Sequence, residues 1–86
     1  MITVELFEMA RRIAGVAEVE LEAATLREAL DGLAAAYPAL VPDVVRDGEL
    51  APHWRAGLNG GTWIADPDQP LAEGDTVQLI SALAGG

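Results

Sequence analysis

The stretch TLREALDGLAAAY, residues 25–37, decides the fold because it contains one amphipathic helix with both of its ends marked. Thr25 followed by Glu28 matches a capping box, in which a hydroxyl and a carboxylate accept hydrogen bonds from the first free amides of a helix. Apolar side chains then recur every three or four residues and form one stripe, at Leu26, Ala29, Leu30, Leu33, Ala34 and Tyr37. Pro38 ends the helix. The stripe predicts that this helix covers one face of a sheet.

Two strands are predicted on the N-terminal side of this helix. Residues 2–6 alternate apolar and polar side chains, and residues 17–22 do the same, which is the period of a strand that is buried on one face. Residues 8–16 contain the charged residues Glu8, Arg11 and Arg12 together with Gly15, and they are predicted to be an irregular connection. The two strands are therefore expected to pair as an antiparallel hairpin.

The stretch directly after the helix, residues 38–54, carries weaker signals. Leu40, Val44 and Val45 indicate a short helical turn, and Asp47-Gly48 indicates a tight turn. The prediction for this stretch is therefore a helical turn followed by a reversal of the chain.

A second hairpin and a final strand follow. Residues 55–58 and 62–64 are predicted to pair around Asn59-Gly60-Gly61, because Asn and Gly tolerate the positive φ that such a reversal demands. A turn over residues 71–75 then leads into a last strand over residues 76–80.

The predicted order is strand, strand, helix, short helix, strand, strand, strand. This order predicts an α+β fold of the ubiquitin-like β-grasp type, with a mixed sheet of about five strands and one main helix packed on one face. A chain of this length holds one domain at most. We therefore expect a single domain over residues 1–86, with a flexible C-terminal tail over residues 82–86.

The composition narrows the possible partners and sites. Fourteen acidic residues against five arginines give a formal net charge of -9, which repels nucleic acid phosphates and anionic lipids. The chain has neither cysteine nor lysine, and its single histidine, His53, cannot by itself build a usual zinc site. No apolar run approaches membrane-spanning length, and the first residues do not resemble a signal peptide. A cytoplasmic protein without a metal site, which binds neither nucleic acid nor membrane, is expected.

The end of the chain carries the main functional signal. Gly85-Gly86 follows the small-residue segment Ala82-Leu83-Ala84. A carboxylate is a poor acyl donor, and its conversion to an acyl-adenylate by ATP is the general way to activate it. A tail that enters the nucleotide site of a partner must be thin, which two glycines allow. The pattern predicts that the Gly86 carboxylate is the reactive group; a frayed end and a modifier that is joined to lysines of other proteins are the alternatives.

An exposed apolar patch is predicted on the sheet. Phe7 and Ile80 fall on the outward phase of the first and last strands. These strands should be neighbours, so the two side chains are expected to form one patch that docks partners. Trp63 or Ile64 extends the patch, and the turn register leaves open which of the two faces outward.

Five segments resemble the MoaD/ThiS family, the small sulfur carriers of molybdopterin and thiamine biosynthesis. They are residues 4–7, the helix 25–37, LNG at 58–60, PLAEGD at 70–75 and ALAGG at 82–86. The resemblance implies that an enzyme of the ubiquitin-activating type, MoeB/ThiF-like, uses ATP to adenylate Gly86. A sulfur donor then converts the adenylate to a thiocarboxylate.

The resemblance also implies a non-catalytic carrier that binds no cofactor itself. Its tail, with Gly85 and Gly86 at the end, would enter a larger MoaE-like subunit to form molybdopterin synthase, and Phe7, Ile80, Leu83 and Ala84 would contact the partners. Other relatives deliver sulfur for cysteine, thiamine or specialised metabolites. A ubiquitin-like modifier and a plain interaction module remain open as alternatives.

Overall fold

The capped helix and the five-stranded sheet predicted from the sequence are present in the structure, a computed structural model that describes residues 1–81. The elements in chain order are β1 Ile2–Leu6, α1 Glu8–Ala14, β2 Glu18–Leu21, α2 Leu26–Ala36, a 3-10 turn Pro38–Leu40, β3 Val45–Arg46, β4 Glu49–Leu50, β5 Trp54–Leu58, β6 Thr62–Ile64 and β7 Thr76–Ser81. The predicted fold class is therefore confirmed.

The main sheet is mixed and has the strand order β2-β1-β7-β5-β6. β1 and β7 are parallel, whereas the β1–β2, β5–β7 and β5–β6 pairs are antiparallel. β3 and β4 form a separate two-stranded hairpin. β7, the last strand in the sequence, thus lies in the middle of the sheet, between β1 and β5.

The helix α2 begins and ends where the sequence predicts. The Thr25 hydroxyl accepts a hydrogen bond from the Glu28 amide at 3.2 Å, and the Glu28 carboxylate accepts one from the Ala24 amide at 2.9 Å. The second bond lies one residue earlier than in the usual capping box. At the other end, Pro38 starts the 3-10 turn.

The core lies between α2 and one face of the sheet. The helix contributes Leu26, Ala29, Leu30 and Leu33, and the strands contribute Ile2, Val4, Leu6, Ala56, Ile64, Val77 and Leu79. No polar or charged residue among residues 1–81 is buried. The other face of the sheet is not covered by α2, and we refer to it as the outer face.

The prediction of an irregular connection over residues 8–16 is wrong. The chain forms the helix α1 there, because Ala10 packs into the core and is fully buried. Gly15 ends the helix in the left-handed region, with φ of 82°, and its amide donates to the Arg11 carbonyl at 2.8 Å. A glycine at this position is a common helix stop.

The prediction for residues 38–54 is partly wrong. Asp47 and Gly48 form the predicted tight turn, with φ of 53° and 76°, but the turn joins two short strands. Val45 is therefore in a strand and not in a helical turn, and its side chain is buried. The 3-10 helix covers Pro38–Leu40, and the Val44 amide donates to the Leu40 carbonyl at 2.9 Å, so the predicted helical turn extends as far as Val44.

Hydrogen bonds of Asp75 connect the turn before β7 to the β5–β6 hairpin. Its carboxylate accepts hydrogen bonds from the Ala72 amide at 2.8 Å and from the Asn59 side-chain amide at 3.1 Å. The Asn59 side-chain oxygen in turn accepts from the Thr76 amide at 2.8 Å. The Ala72 bond first, and then the Asn59 bond, lower the pKa of Asp75 below its ordinary value of 3.8.

Asp75→Asn is expected to destabilise the fold in a manner that depends on pH. The lowered pKa means that the Asp75 carboxylate contributes stability above its unfolded-state pKa, and that this contribution is lost as the pH falls through the folded-state pKa. The difference in unfolding free energy between wild type and Asp75→Asn should therefore be largest near neutral pH. Urea denaturation at several pH values measures it, with exposed Asp43→Asn as the control. A difference that stays constant into strong acid would contradict the assignment.

Candidate functional site: the tail root and the outer face

The tail leaves the body from the middle strand of the sheet. β7 ends at Ser81, the last described residue, whose backbone is in register with Trp54 of β5. We refer to Ser81 as the tail root. Leu83, Ala84, Gly85 and Gly86 lie outside the described residues, so the roles predicted for them stay predictions. The sheet nevertheless defines where the tail starts, beside β1 and β5.

Phe7 and Ile80 both reach the surface close to the tail root. Leu6 of β1 is in register with Leu79 of β7. Phe7 follows Leu6 in an extended conformation, so the register continued by one residue places Phe7 next to Ile80. Phe7 is 39% exposed and Ile80 is half-buried. The predicted docking role of this pair stays a prediction.

The structure decides between Trp63 and Ile64. Ile64 is only 8% exposed and belongs to the core, whereas Trp63 is 59% exposed. Trp63 is on the outer face, in register with Gly57. The Arg55 guanidinium carbon lies 5.9 Å from the centre of the Trp63 ring, which is a cation–π distance. Arg55 is itself in register with Ile80, so the pair lies near the tail root.

A shallow depression separates Trp63 from Ile80. Its volume is about 290 Å³, and it is lined by Gly57, Gly60, Gly61, Thr62, Trp63, Gln78 and Ile80. Gln78 is fixed at its edge, because its side-chain oxygen accepts from the Gly60 amide at 3.0 Å and its side-chain nitrogen donates to Glu5 at 2.9 Å. The glycines leave this part of the sheet without side chains, and a Cβ at Gly60 or Gly61 would meet no atom within 4 Å.

The outer face is acidic on the side away from Trp63. Glu18 of β2 is in register with Glu5 of β1, and Glu20 is in register with Thr3. Glu18 and Glu20 are exposed, in agreement with the predicted solvated strand face. Two glutamates directly opposite each other repel. The outer face therefore combines an apolar region near the tail root with an acidic region on β1 and β2.

The remaining residues considered from the sequence do not form a site. His53 is exposed, and the Asp66 carboxylate accepts from the Asp68 amide at 2.9 Å, as in an Asx turn. No cluster of three or more potential metal ligands occurs among residues 1–81. Within the same residues, no helix is long and apolar enough to span a membrane.

Comparison with known proteins identifies the family. A profile of the ThiS family matches residues 4–86. The chain belongs to the ThiS family. SAMP1 from Haloferax volcanii is 32% identical, with 99% of this chain and 98% of that chain covered and a TM-score of 0.82. A search of curated proteins finds no match.

Two further solved structures share the ThiS-family fold at lower identity. The BexX/CysO complex from Amycolatopsis orientalis matches at 23% identity and a TM-score of 0.77, with both chains fully covered. The complex of subunits 1 and 2 of the molybdopterin-converting factor from Helicobacter pylori matches at 21% identity and a TM-score of 0.64, with 99% of this chain and 97% of that chain covered. The resemblance found in the sequence is thus confirmed.

The family consists of sulfur carriers and ubiquitin-like modifiers, and its members are small carrier proteins or subunits rather than catalysts. Two of the structural neighbours are complexes with partner proteins.

The sequence pattern missed the Arg55–Trp63 pair and the depression beside it. Both depend on the cross-strand register of β5 and β6, which places Gly57 opposite Trp63. A signal was present in the core residue Ile64, because an inward Ile64 requires an outward Trp63 in a strand.

Proposed function

We propose that the chain is a sulfur carrier whose Gly86 carboxylate is adenylated by a partner enzyme and then converted to a thiocarboxylate. The observation that carries the proposal is the match to the ThiS family, which extends to residue 86 and so includes the diglycine. The position of β7 supports it, because a tail rooted in the middle of a sheet has a fixed starting point. Five extended residues reach at most about 17 Å.

The proposed chemistry has two steps. A Gly86 carboxylate oxygen attacks the α-phosphate of ATP, and pyrophosphate leaves. Hydrosulfide from the sulfur donor then attacks the carbonyl carbon of the acyl-adenylate, the bond to the AMP oxygen breaks, AMP leaves, and loss of the S–H proton gives the thiocarboxylate. An adenylating enzyme of the MoeB/ThiF type supplies the catalysis and binds the ATP, whereas this chain supplies the acyl group and a docking surface. Such a carrier works in the cytoplasm, where ATP is available.

For the final acceptor we propose the molybdopterin branch. The tail would enter a larger MoaE-like subunit, and the pair would transfer sulfur to a pterin precursor. The Helicobacter pylori complex provides a precedent in which a protein of this fold binds a second subunit. Single-turnover assays with the isolated thiocarboxylate form and each candidate acceptor enzyme distinguish this branch from carriers for cysteine, thiamine or specialised metabolites.

A protein modifier is the second candidate, and one observation favours it. The relative with 32% identity over nearly the whole chain is small archaeal modifier protein 1. In that function Gly86 would form an isopeptide bond with lysines of target proteins. A tagged chain expressed in its own cells would then give a ladder on denaturing gels, whereas a carrier alone would give none.

The decisive experiment for the carrier is an intact-mass measurement. The chain is incubated with ATP, the adenylating enzyme from the same organism and a sulfur donor. Exchange of one carboxylate oxygen for sulfur raises the mass by about 16 Da. Omission of ATP is the control. An unchanged mass, in a reaction where the enzyme demonstrably turns over ATP, would refute the proposal.

Phe7→Ala and Trp63→Ala are each expected to weaken binding of the adenylating enzyme by about tenfold or more. Large apolar side chains in the centre of an interface commonly contribute over 1.4 kcal/mol each, and these two are exposed on the outer face. Titration calorimetry measures the effect. Val41→Ala, which truncates an exposed apolar side chain directly after the 3-10 turn that contacts α1 and α2, is the control and should leave affinity unchanged. Equal effects from all three variants would refute the docking surface.

A further inference from the structure

We propose that the free edge of β6, together with the groove beside it, docks an extended segment of a partner protein that carries an apolar side chain next to basic ones. The proposal goes beyond the sulfur chemistry, because it concerns a second surface of the body and uses only residues within 1–81. The chain would thereby hold a partner by the edge of its sheet, in addition to any contact on the outer face.

The two edges of the main sheet differ in how they are protected. Within residues 1–81 this sheet begins with β2 and ends with β6. β2 carries the exposed side chains of Glu18 and Glu20, and charged side chains on an edge strand oppose pairing with another chain. β6 consists of Thr62, Trp63 and Ile64 and carries no charge. The β6 edge is therefore the one that is open to a further strand.

The backbone of Trp63 faces this open edge. In an antiparallel ladder, successive residues direct their N–H and C=O groups to opposite sides. The Asn59 amide, directly after β5, donates to a carbonyl of β7 at 2.8 Å, so Leu58 is directed to β6, where it is in register with Thr62. Thr62 and Ile64 consequently bond to β5. Trp63 lies between them and directs its N–H and C=O away from the sheet.

A groove borders the β6 edge on the side of the core. Its volume is about 530 Å³, within the range of about 300–1,000 Å³ that is usual for ligand sites. Its apolar walls include Leu26 and Leu30 of α2, Leu50 of β4 and Ile64 of β6. Leu26 and Leu30 are each only 2% exposed, so the groove reaches down to the core. A side chain that entered it would leave water for apolar surroundings.

A strand that paired with β6 would use both the open edge and the groove. Its side chains would alternate between the two faces of the sheet. Those on the inner face would lie beside Ile64, over the groove, and those on the outer face would lie beside Trp63, which is 59% exposed. Backbone hydrogen bonds give such strand addition its affinity, and a pocket for an alternate side chain gives it specificity. The occupant therefore needs an extended backbone and one large apolar side chain.

The charges around the groove favour basic residues beside that apolar side chain. Glu49 lines the groove, and Asp66 lies between two further lining residues. Both carboxylates are exposed, and neither forms an ion pair within residues 1–81. His53 and Arg55 also line the groove, but the Arg55 guanidinium lies over the Trp63 ring. Since the whole chain has a formal net charge of -9, a segment that contains lysine or arginine is attracted to it.

The experiment selects binders from a phage-displayed library of random seven-residue peptides on the folded full chain. Amide hydrogen exchange is then measured by NMR with the strongest peptide bound. An amide on a free edge exchanges quickly unless a new hydrogen bond protects it, so we expect the peptide to slow exchange of the Trp63 amide by at least about tenfold. The amides of Thr62 and Ile64 already bond to β5 and should change much less.

Two charge reversals test the composition of the segment. Glu49→Lys places a positive charge in the groove, and Asp43→Lys makes the same change in net charge at an exposed residue outside its lining. We expect Glu49→Lys to weaken binding of the selected peptide by about fivefold or more, and Asp43→Lys by less than about twofold. The urea midpoints of both variants check that the fold is kept.

Several outcomes would overturn the inference. A library that yields no peptide above background, or only acidic ones, would show that the edge does not bind a basic extended segment. Protection on β2 instead of at Trp63, or equal effects of both charge reversals, would show that peptides bind elsewhere or through net charge alone. Protection of the Trp63 amide that rises with protein concentration, in the absence of peptide, would show that the edge pairs with a second copy of the chain.

Discussion

Deletion of Gly86 is expected to abolish the 16 Da gain in mass, with a loss of initial rate of more than about 100-fold. The shortened tail would end at Gly85, and its carboxylate would stop one residue, roughly 3.5 Å, short of the site that the full tail reaches. A displacement of only about 1 Å from a near-attack geometry can cost that factor. Initial rates of thiocarboxylate formation, measured by intact mass, test this expectation.

The stability of the variant and its binding to the adenylating enzyme are the controls for this deletion. The deletion leaves all described residues, 1–81, in place, and we expect the variant to unfold at the same urea concentration as wild type and to compete with it for the adenylating enzyme. Gly85→Ala distinguishes the effect of tail length from the effect of tail thickness. It keeps the length of the tail and adds one methyl group to it. A normal rate in the deletion variant would show that Gly86 is not the activated residue.

The sequence predicts the main elements of the fold because each has a strong local signal. The helix α2 has a capping box and a continuous apolar stripe, and β1 and β2 have an uninterrupted alternation. α1 was missed because seven residues give fewer than two turns of periodicity, and its only strong mark is the stop at Gly15. The β3–β4 hairpin was missed because two-residue strands have no period at all.

The residues of the candidate site also differ in how well the sequence predicts their positions. The outward positions of Phe7 and Ile80 follow from alternation within single strands. The position of Trp63 depends on the register across a hairpin, and the contact of Arg55 with its ring depends on two neighbouring strands. The described residues do not predict the partner, because structures of a small archaeal modifier protein, a BexX/CysO complex and a molybdopterin-converting factor all have this fold.

Leu79→Ala is expected to lower the free energy of unfolding by about 3 kcal/mol. Leu79 is fully buried in the middle strand of the sheet, and truncation of such a side chain leaves a cavity that costs about 2–5 kcal/mol. A domain of this size has only about 4–13 kcal/mol of stability in total. Urea denaturation measures the loss, and much of the variant should be unfolded at elevated temperature.

Ile80→Ala is the matched variant, since it removes a half-buried side chain from the next residue of the same strand. The two side chains point to opposite faces, so we expect Ile80→Ala to cost less than about 1 kcal/mol of stability and yet to weaken partner binding by about tenfold. Leu79→Ala should show the reverse pattern at temperatures where it is folded. If both variants lose stability equally, the outer face is a second packed surface and does not dock partners. If Leu79→Ala mainly lowers stability and Ile80→Ala mainly weakens binding, β7 contributes to the core with one face and to partner recognition with the other. The same strand ends at Ser81, from which the tail departs.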